Sequence, residues 1–223
     1  SRLTKYERYR AMEVVSKDNV ANLLMQHIPR DLLMGVEEAL FAGALRGFKA
    51  AEGMHDGHKA TVLGQMRHFH MNEAFAEALA VAGGNPTPIK GNAIVVGRVG
   101  VFALSRFNIS GNIWNNGRRS RTRREMSEAN RAVEPLVQPE LFEPVQPITA
   151  ATAFFVAGFS GNKLVSPESP IGLDIAVPDS RMQSWLFRES LQKFIGRYDI
   201  APIQVDTAFP KLKAGIIKLD GSE

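Results

Sequence analysis

The chain has 223 residues, 44% of them hydrophobic and 22% charged, and it contains no cysteine. That composition is ordinary for a globular protein with a real core, and it excludes disulfides, thiolate nucleophiles and cysteine-based metal sites. The net charge of +4 is unevenly spread: from Arg98 to Arg131 eight arginines stand against two acids with no lysine, a local +6 that leaves −2 for the rest of the chain.

In chain order, Thr4 and Glu7 form a capping box, which predicts a helix running towards His27 and ended by Pro29. Asp31 suits the N-cap of a second helix reaching about Ala51. In it Gly35, Ala39, Gly43 and Gly47 form a row of small residues, with Leu33, Val36, Leu40 and Leu45 expected on the opposite side. The pattern predicts close packing on a neighbouring helix. Gly53 and Gly57 interrupt it, and residues 61–70 read equally as helix or strand. Asn72 is the expected N-cap of a helix that Gly83 and Gly84 stop. The most apolar run, residues 32–48, is broken by Glu37, Glu38 and Arg46 and falls short of the ~20 residues of a membrane span. No signal-peptide core is visible, so the expectation is a cytoplasmic protein with no membrane partner.

Past Pro86 and Pro88 the composition turns to Val, Ile and Phe, and residues 92–109 predict one or two strands broken near Gly97 or Gly100. A helix is expected from about 117 to 134, followed by a linker, 134–147, whose prolines at 135, 139, 144 and 147 exclude regular structure. Residues 152–160 and 171–179 read as paired strands joined through Gly161-Asn162. Asp179 or Ser180 then caps a last helix, 181–198, with Phe187, Leu191, Phe194 and Tyr198 as its apolar stripe. The fold class implied is α+β: a helical N-terminal part, 1–85, then an α+β part, 86–223, with a small antiparallel sheet flanked by helices, in one compact unit.

The densest basic stretch is WNNGRRSRTRREMSEAN, 114–130. Met126, Ala129, Val133 and Leu136 repeat at helical spacing and dock its second half on a core. Arg118, Arg119, Arg121, Arg123 and Arg124 fan around its first half, so no single internal partner satisfies them all. Cations at a helix start also oppose the macrodipole. Phosphate suits such a site, through bidentate guanidinium contacts and helix N–H groups. Trp114 would stack on a base, and Asn115 and Asn116 would read base edges or hold the turn. The other reading makes Asn115-Asn116-Gly117 a plain turn, Trp114 core, and the arginines solvated or paired with acids.

Within the linker, Gln138, Pro139, Glu140, Leu141 and Phe142 spell QPELF. This resembles the short peptide by which many bacterial replication and repair proteins dock on the DNA sliding clamp, with Pro139 where leucine is frequent. The resemblance implies a clamp as partner, Leu141 and Phe142 entering an apolar pocket and Gln138 bonding at its rim. The alternative is that Leu141 and Phe142 pin the linker to the core.

Four of the five histidines, with Asp56 and Glu73, fall between His55 and Glu73. Were residues 61–70 a strand, His68 and His70 would point the same way, and His55 and His58 would complete a metal site. No spacing matches HExxH, and there is no P-loop, GxSxG or full GxGxxG motif. Asp174 lacks a second carboxylate at motif spacing. The expectation is a non-enzymatic nucleic-acid-binding protein, a regulator or accessory factor in bacterial DNA transactions, with DNA favoured over RNA and no metal, cofactor or catalytic residue. The rivals are a metal-dependent nuclease or hydrolase using His55–Glu73, and a protein-interaction module.

Overall fold

The computed structural model describes residues 18–111, 115–137, 147–161 and 166–199. The Thr4/Glu7 box, Trp114, Gln138, Leu141, Phe142 and Asn162 lie outside the described residues, as do the side chains of Asn115 and Asn116.

Among the described residues three helices come first. Residues 18–27 (α1) bury Val20, Ala21 and Leu24, and Pro29, in extended conformation, separates them from α2, Arg30–Ala51. Proline holds the φ needed at this boundary and lacks the N–H a helix start leaves unpaired. It stands where the cap was expected at Asp31, which lies in the first turn instead. Helix α3, Asp56–Val81, runs unbroken through 61–70 and Asn72. Residues 61–70 are therefore helix, and Asn72 is not an N-cap but a mid-helix residue, 2% exposed, whose amide is taken up by tertiary hydrogen bonds. The helix stops at Gly83, φ +73°, in the left-handed region.

Helices α2 and α3 pack through two of the three glycines in the row of small residues. A Cβ on Gly47 would lie 2.7 Å from the Arg67 backbone nitrogen, and one on Gly43 2.8 Å from the His70 carbonyl oxygen. A Cβ on Gly35 would meet nothing. Gly43 and Gly47 share the buried side with Leu33, Val36 and Leu40, whereas Leu45 is exposed. The small and apolar rows are thus one face, not two opposed ones.

The sheet has five strands in sequence order: β1 Gly97–Val99, β2 Phe102–Ser110, β3 Ala151–Phe159, β4 Gly172–Pro178 and β5 Trp185–Ser190. Gly100, φ +55°, makes the turn between β1 and β2. The expected antiparallel pairing holds for three neighbouring pairs, while β2 and β3 run parallel, making the sheet mixed. A parallel pair needs a crossover, and the Arg-rich segment belongs to it. Both faces are buried, so β3 reads as a continuous apolar run. Ala151, Ala153, Phe155, Ala157 and Phe159 join the cluster with α1–α3, and Phe154 and Val156 join a smaller cluster with Phe107, Ile109 and Met182.

The last expected helix is half strand. Residues 185–190 pair with β4, and only Leu191–Gly196 (α7) and a 3₁₀ turn, Arg197–Asp199, are helical. Strand pairing outweighed local helical spacing here. The aromatic stripe survives the change: Phe194 sits between Phe187 (5.7 Å) and Tyr198 (5.9 Å), both edge to face.

Candidate nucleic-acid interface

The expected single helix over 117–134 is four short pieces: α4 Asn115–Arg119, α5 Arg121–Ser127, a 3₁₀ turn Glu128–Ala132, and α6 Glu134–Val137. Ser120 breaks it by turning extended, and its Oγ accepts from the Arg123 N–H as a cap. Pro135 is accommodated in the first turn of α6, where its missing N–H is harmless, so the linker does contain a helical turn. Gly117 packs directly under Phe107, since a Cβ there would lie 2.8 Å from Cε2 of that ring.

Buried polar side chains fix the position of these pieces. Asn130 donates to the carbonyls of Thr152 and Pro178 and accepts from the Thr152 N–H at 2.7 Å. Thr152 Oγ1 donates to the Met126 carbonyl. Val133 is fully buried and Met126 and Leu136 are packed on the two clusters, which is the docking the sequence spacing predicts.

The arginines separate accordingly. Arg119, Arg121 and Arg124 are exposed, and Arg118 is half-buried. Arg121 donates to Glu125 at 2.6 Å, and that contact raises its pKa. Arg121 and Arg124 line a hollow of about 490 Å³ with Arg131 and Arg181, against two acids, Glu125 and Glu128. Arg181 enters from the turn between β4 and β5, which Asp179 ties by accepting from the N–H groups of Arg181, Gln183 and Ser184 and from Ser184 Oγ. Burial pushes the Asp179 carboxyl up, but these donors together hold it below its ordinary value. Glu134 closes the other side of that turn by accepting from the Ser180 N–H.

Arg123 turns inward. Its guanidinium lies 5.0 Å from the Phe107 ring centroid, its Nε is buried with no hydrogen-bond partner, and burial lowers its pKa to about 10. There it approaches Arg106, which sequence reasoning did not single out. Arg106 is 3% exposed and donates to Asn72 Oδ1, Asn108 Oδ1, the His68 carbonyl and Met71 Sδ, all neutral acceptors. Burial and then the charge of Arg123 lower its pKa to about 9. A usable signal existed: in β2, Phe102, Leu104 and Arg106 share one phase of the alternation, which aims the arginine at the helices.

The histidine segment does not assemble as the rival reading requires. On a helix, His68 and His70 diverge. His68 meets Asn72, His70 meets Glu73, and His55 accepts from the Gly57 N–H at the start of α3. Among the described residues no group of three or more His, Asp or Glu is placed to hold a metal ion. Asp174 is ion-paired with Arg188 at 2.7 Å. No helix among the described residues is long and apolar enough to cross a membrane. Compared with protein-family models, with curated proteins and with solved structures, the chain finds no match.

Proposed function

We propose that the protein binds nucleic acid, DNA before RNA, through the exposed face of α5, the 3₁₀ turn after it and the β4–β5 turn, without chemistry of its own. One observation carries this reading. Four arginines from three separate elements, Arg121, Arg124, Arg131 and Arg181, converge on one hollow that holds only two acids. Glu125 already pairs with Arg121, so the arginines outnumber the carboxylates beside them, and a phosphate backbone relieves the repulsion of that excess by bidentate contacts and counterion release. The buried Asn130 contacts and the Asp179 turn hold the hollow's walls in place before a ligand arrives, which lowers the ordering cost of binding.

Fluorescence anisotropy with a labelled duplex tests this. Four phosphate contacts give a log-affinity against log-salt slope of about −3 to −4. Replacing Arg121, Arg124, Arg131 and Arg181 together by Ala flattens the slope and leaves thermal stability nearly unchanged. No binding at about 50 mM salt, where such contacts are strong, overturns the reading. The QPELF peptide supports a sliding clamp as a further partner on sequence grounds: Phe142→Ala then abolishes clamp pull-down, whereas an unchanged pull-down, or none in the parent protein, dismisses the clamp.

A further inference from the structure

The parallel strands β2 and β3 end side by side, at Ser110 and Phe159. A groove of about 580 Å³ opens there, with Ile109, Phe159, Leu63 and Phe48 giving it an apolar floor and the first half of α3 forming one wall. A second hollow of about 260 Å³ adjoins it, sharing Gly64 and Asn108, and is lined by His68, Arg106 and Arg123. Strand ends of this kind are where sheets with parallel pairs commonly take ligands.

The charge around this double hollow is unbalanced. Lys59, Arg67 and His68 face it from α3, Arg106 from β2 and Arg123 from α5, with Asp56 the acid of the lining and Glu168 acting on Arg67. Among the described residues Arg67, Arg106 and Arg123 make no ion pair. Arg67 lies 4.2 Å over the Phe159 ring, donates to the Pro167 carbonyl, and keeps a buried Nε with no partner, as Arg123 does. Buried guanidinium groups held only by neutral acceptors destabilise a fold unless an anion offsets them. Gly64 adds a separate indication. It sits inside a 26-residue helix, where glycine is unfavourable, and a Cβ there would meet nothing within 4 Å. Helix packing therefore gives no reason for glycine at the junction of the two hollows, whereas access for a ligand does.

We infer that this double hollow binds a phosphate monoester, with the phosphate held between Arg106 and Arg123 and a ring-shaped body lying over Ile109 and the Arg67 guanidinium that covers Phe159. The combined space suits a mononucleotide-sized molecule. Asn108, already oriented by Arg106, and the remaining N–H groups of Arg123 supply hydrogen bonds to phosphate oxygens. The site is independent of the exposed arginine face, since it stands on the opposite side of α5's charge distribution and on α3 and β2.

Calorimetric titration of the full chain tests it, with inorganic phosphate, adenosine monophosphate, and an oligonucleotide with and without a 5′-phosphate as probes. Saturable binding of adenosine monophosphate, at least tenfold tighter than of inorganic phosphate, supports a free nucleotide as ligand. A gain of the same size from the 5′-phosphate of the oligonucleotide supports a strand end. The Gly64→Leu and Arg123→Met proteins each lose the binding while their melting temperatures stay level or rise, and the four-arginine surface variant keeps it. No saturable binding of any phosphate probe overturns the inference, as does unchanged binding by both Gly64→Leu and Arg123→Met.

Discussion

At the corner where α7 meets α1, Arg197 donates to both carboxylate oxygens of Glu189 and to Asp18, and Lys193 adds a third cation contact to the pair. Close by, Arg30 pairs with Asp199, and the Tyr198 hydroxyl donates to the Ile28 carbonyl. Midway along β2 and on α5, by contrast, Arg106 and Arg123 are more deeply buried and, among the described residues, make no ion pair. The hydrogen bond to Glu189 raises the Arg197 pKa, whereas burial lowers those of Arg106 and Arg123. The difference separates two uses of one residue type. Matched arginines fasten the helical part to the sheet, and unmatched ones keep a cationic hollow ready for an anion from outside.

The comparison breaks most visibly at Arg197. Glu189 has an 8% exposed side chain, so Arg197→Ala leaves it with Lys193 as its remaining cation and takes the partner from Asp18, and urea denaturation is expected to show a loss of about 2–3 kcal/mol. Arg123→Met does the reverse. It removes a buried charge, orphans no carboxylate and keeps the stacking on Phe107, so stability holds within about 0.5 kcal/mol or rises. A loss above 2 kcal/mol would make Arg123 a structural arginine and erase the distinction.

Glycines sharpen the same contrast. Gly47→Ala forces a Cβ against the Arg67 backbone and is expected to cost about 1–3 kcal/mol. Gly64→Ala meets open space and is expected to stabilise by about 0.5–1 kcal/mol. The smallest effect is on pH. Burial first, then Arg106 and Arg123, lower the His68 pKa, against a hydrogen bond with the Asn92 backbone. Below about pH 6.5 the unfolded state then binds more protons than the folded one, so stability falls as pH drops from there to the folded pKa. Denaturant midpoints at successive pH values check this, the fall being smaller in His68→Gln.

Much of the scaffold was legible because local chemistry and tertiary packing agree there: Pro29 and Gly83 bound their helices, Gly100 turns β1 into β2, and 151–159 pairs with 172–178. Where they conflict the sequence misled. Asn72 resembles a cap, yet its amide is spent on Arg106 and Ala93. Residues 185–190 have helical spacing, yet the edge of β4 takes them as a strand. The Arg-rich segment announced itself by density, which marked the exposed arginines and concealed that Arg123 points the other way. Arg67 and Arg106 were invisible as site residues, because their role depends on partners 34 to 100 residues distant that only the fold brings to Gly64 and Asn108.

The most direct test follows the guanidinium signals themselves. In an NMR titration with adenosine monophosphate, the Nε–Hε resonance of Arg123 should shift saturably while that of Arg197, held by Glu189 and Asp18, stays in place. Equal small drifts of both, or no shift of Arg123 at saturating nucleotide, would contradict the account.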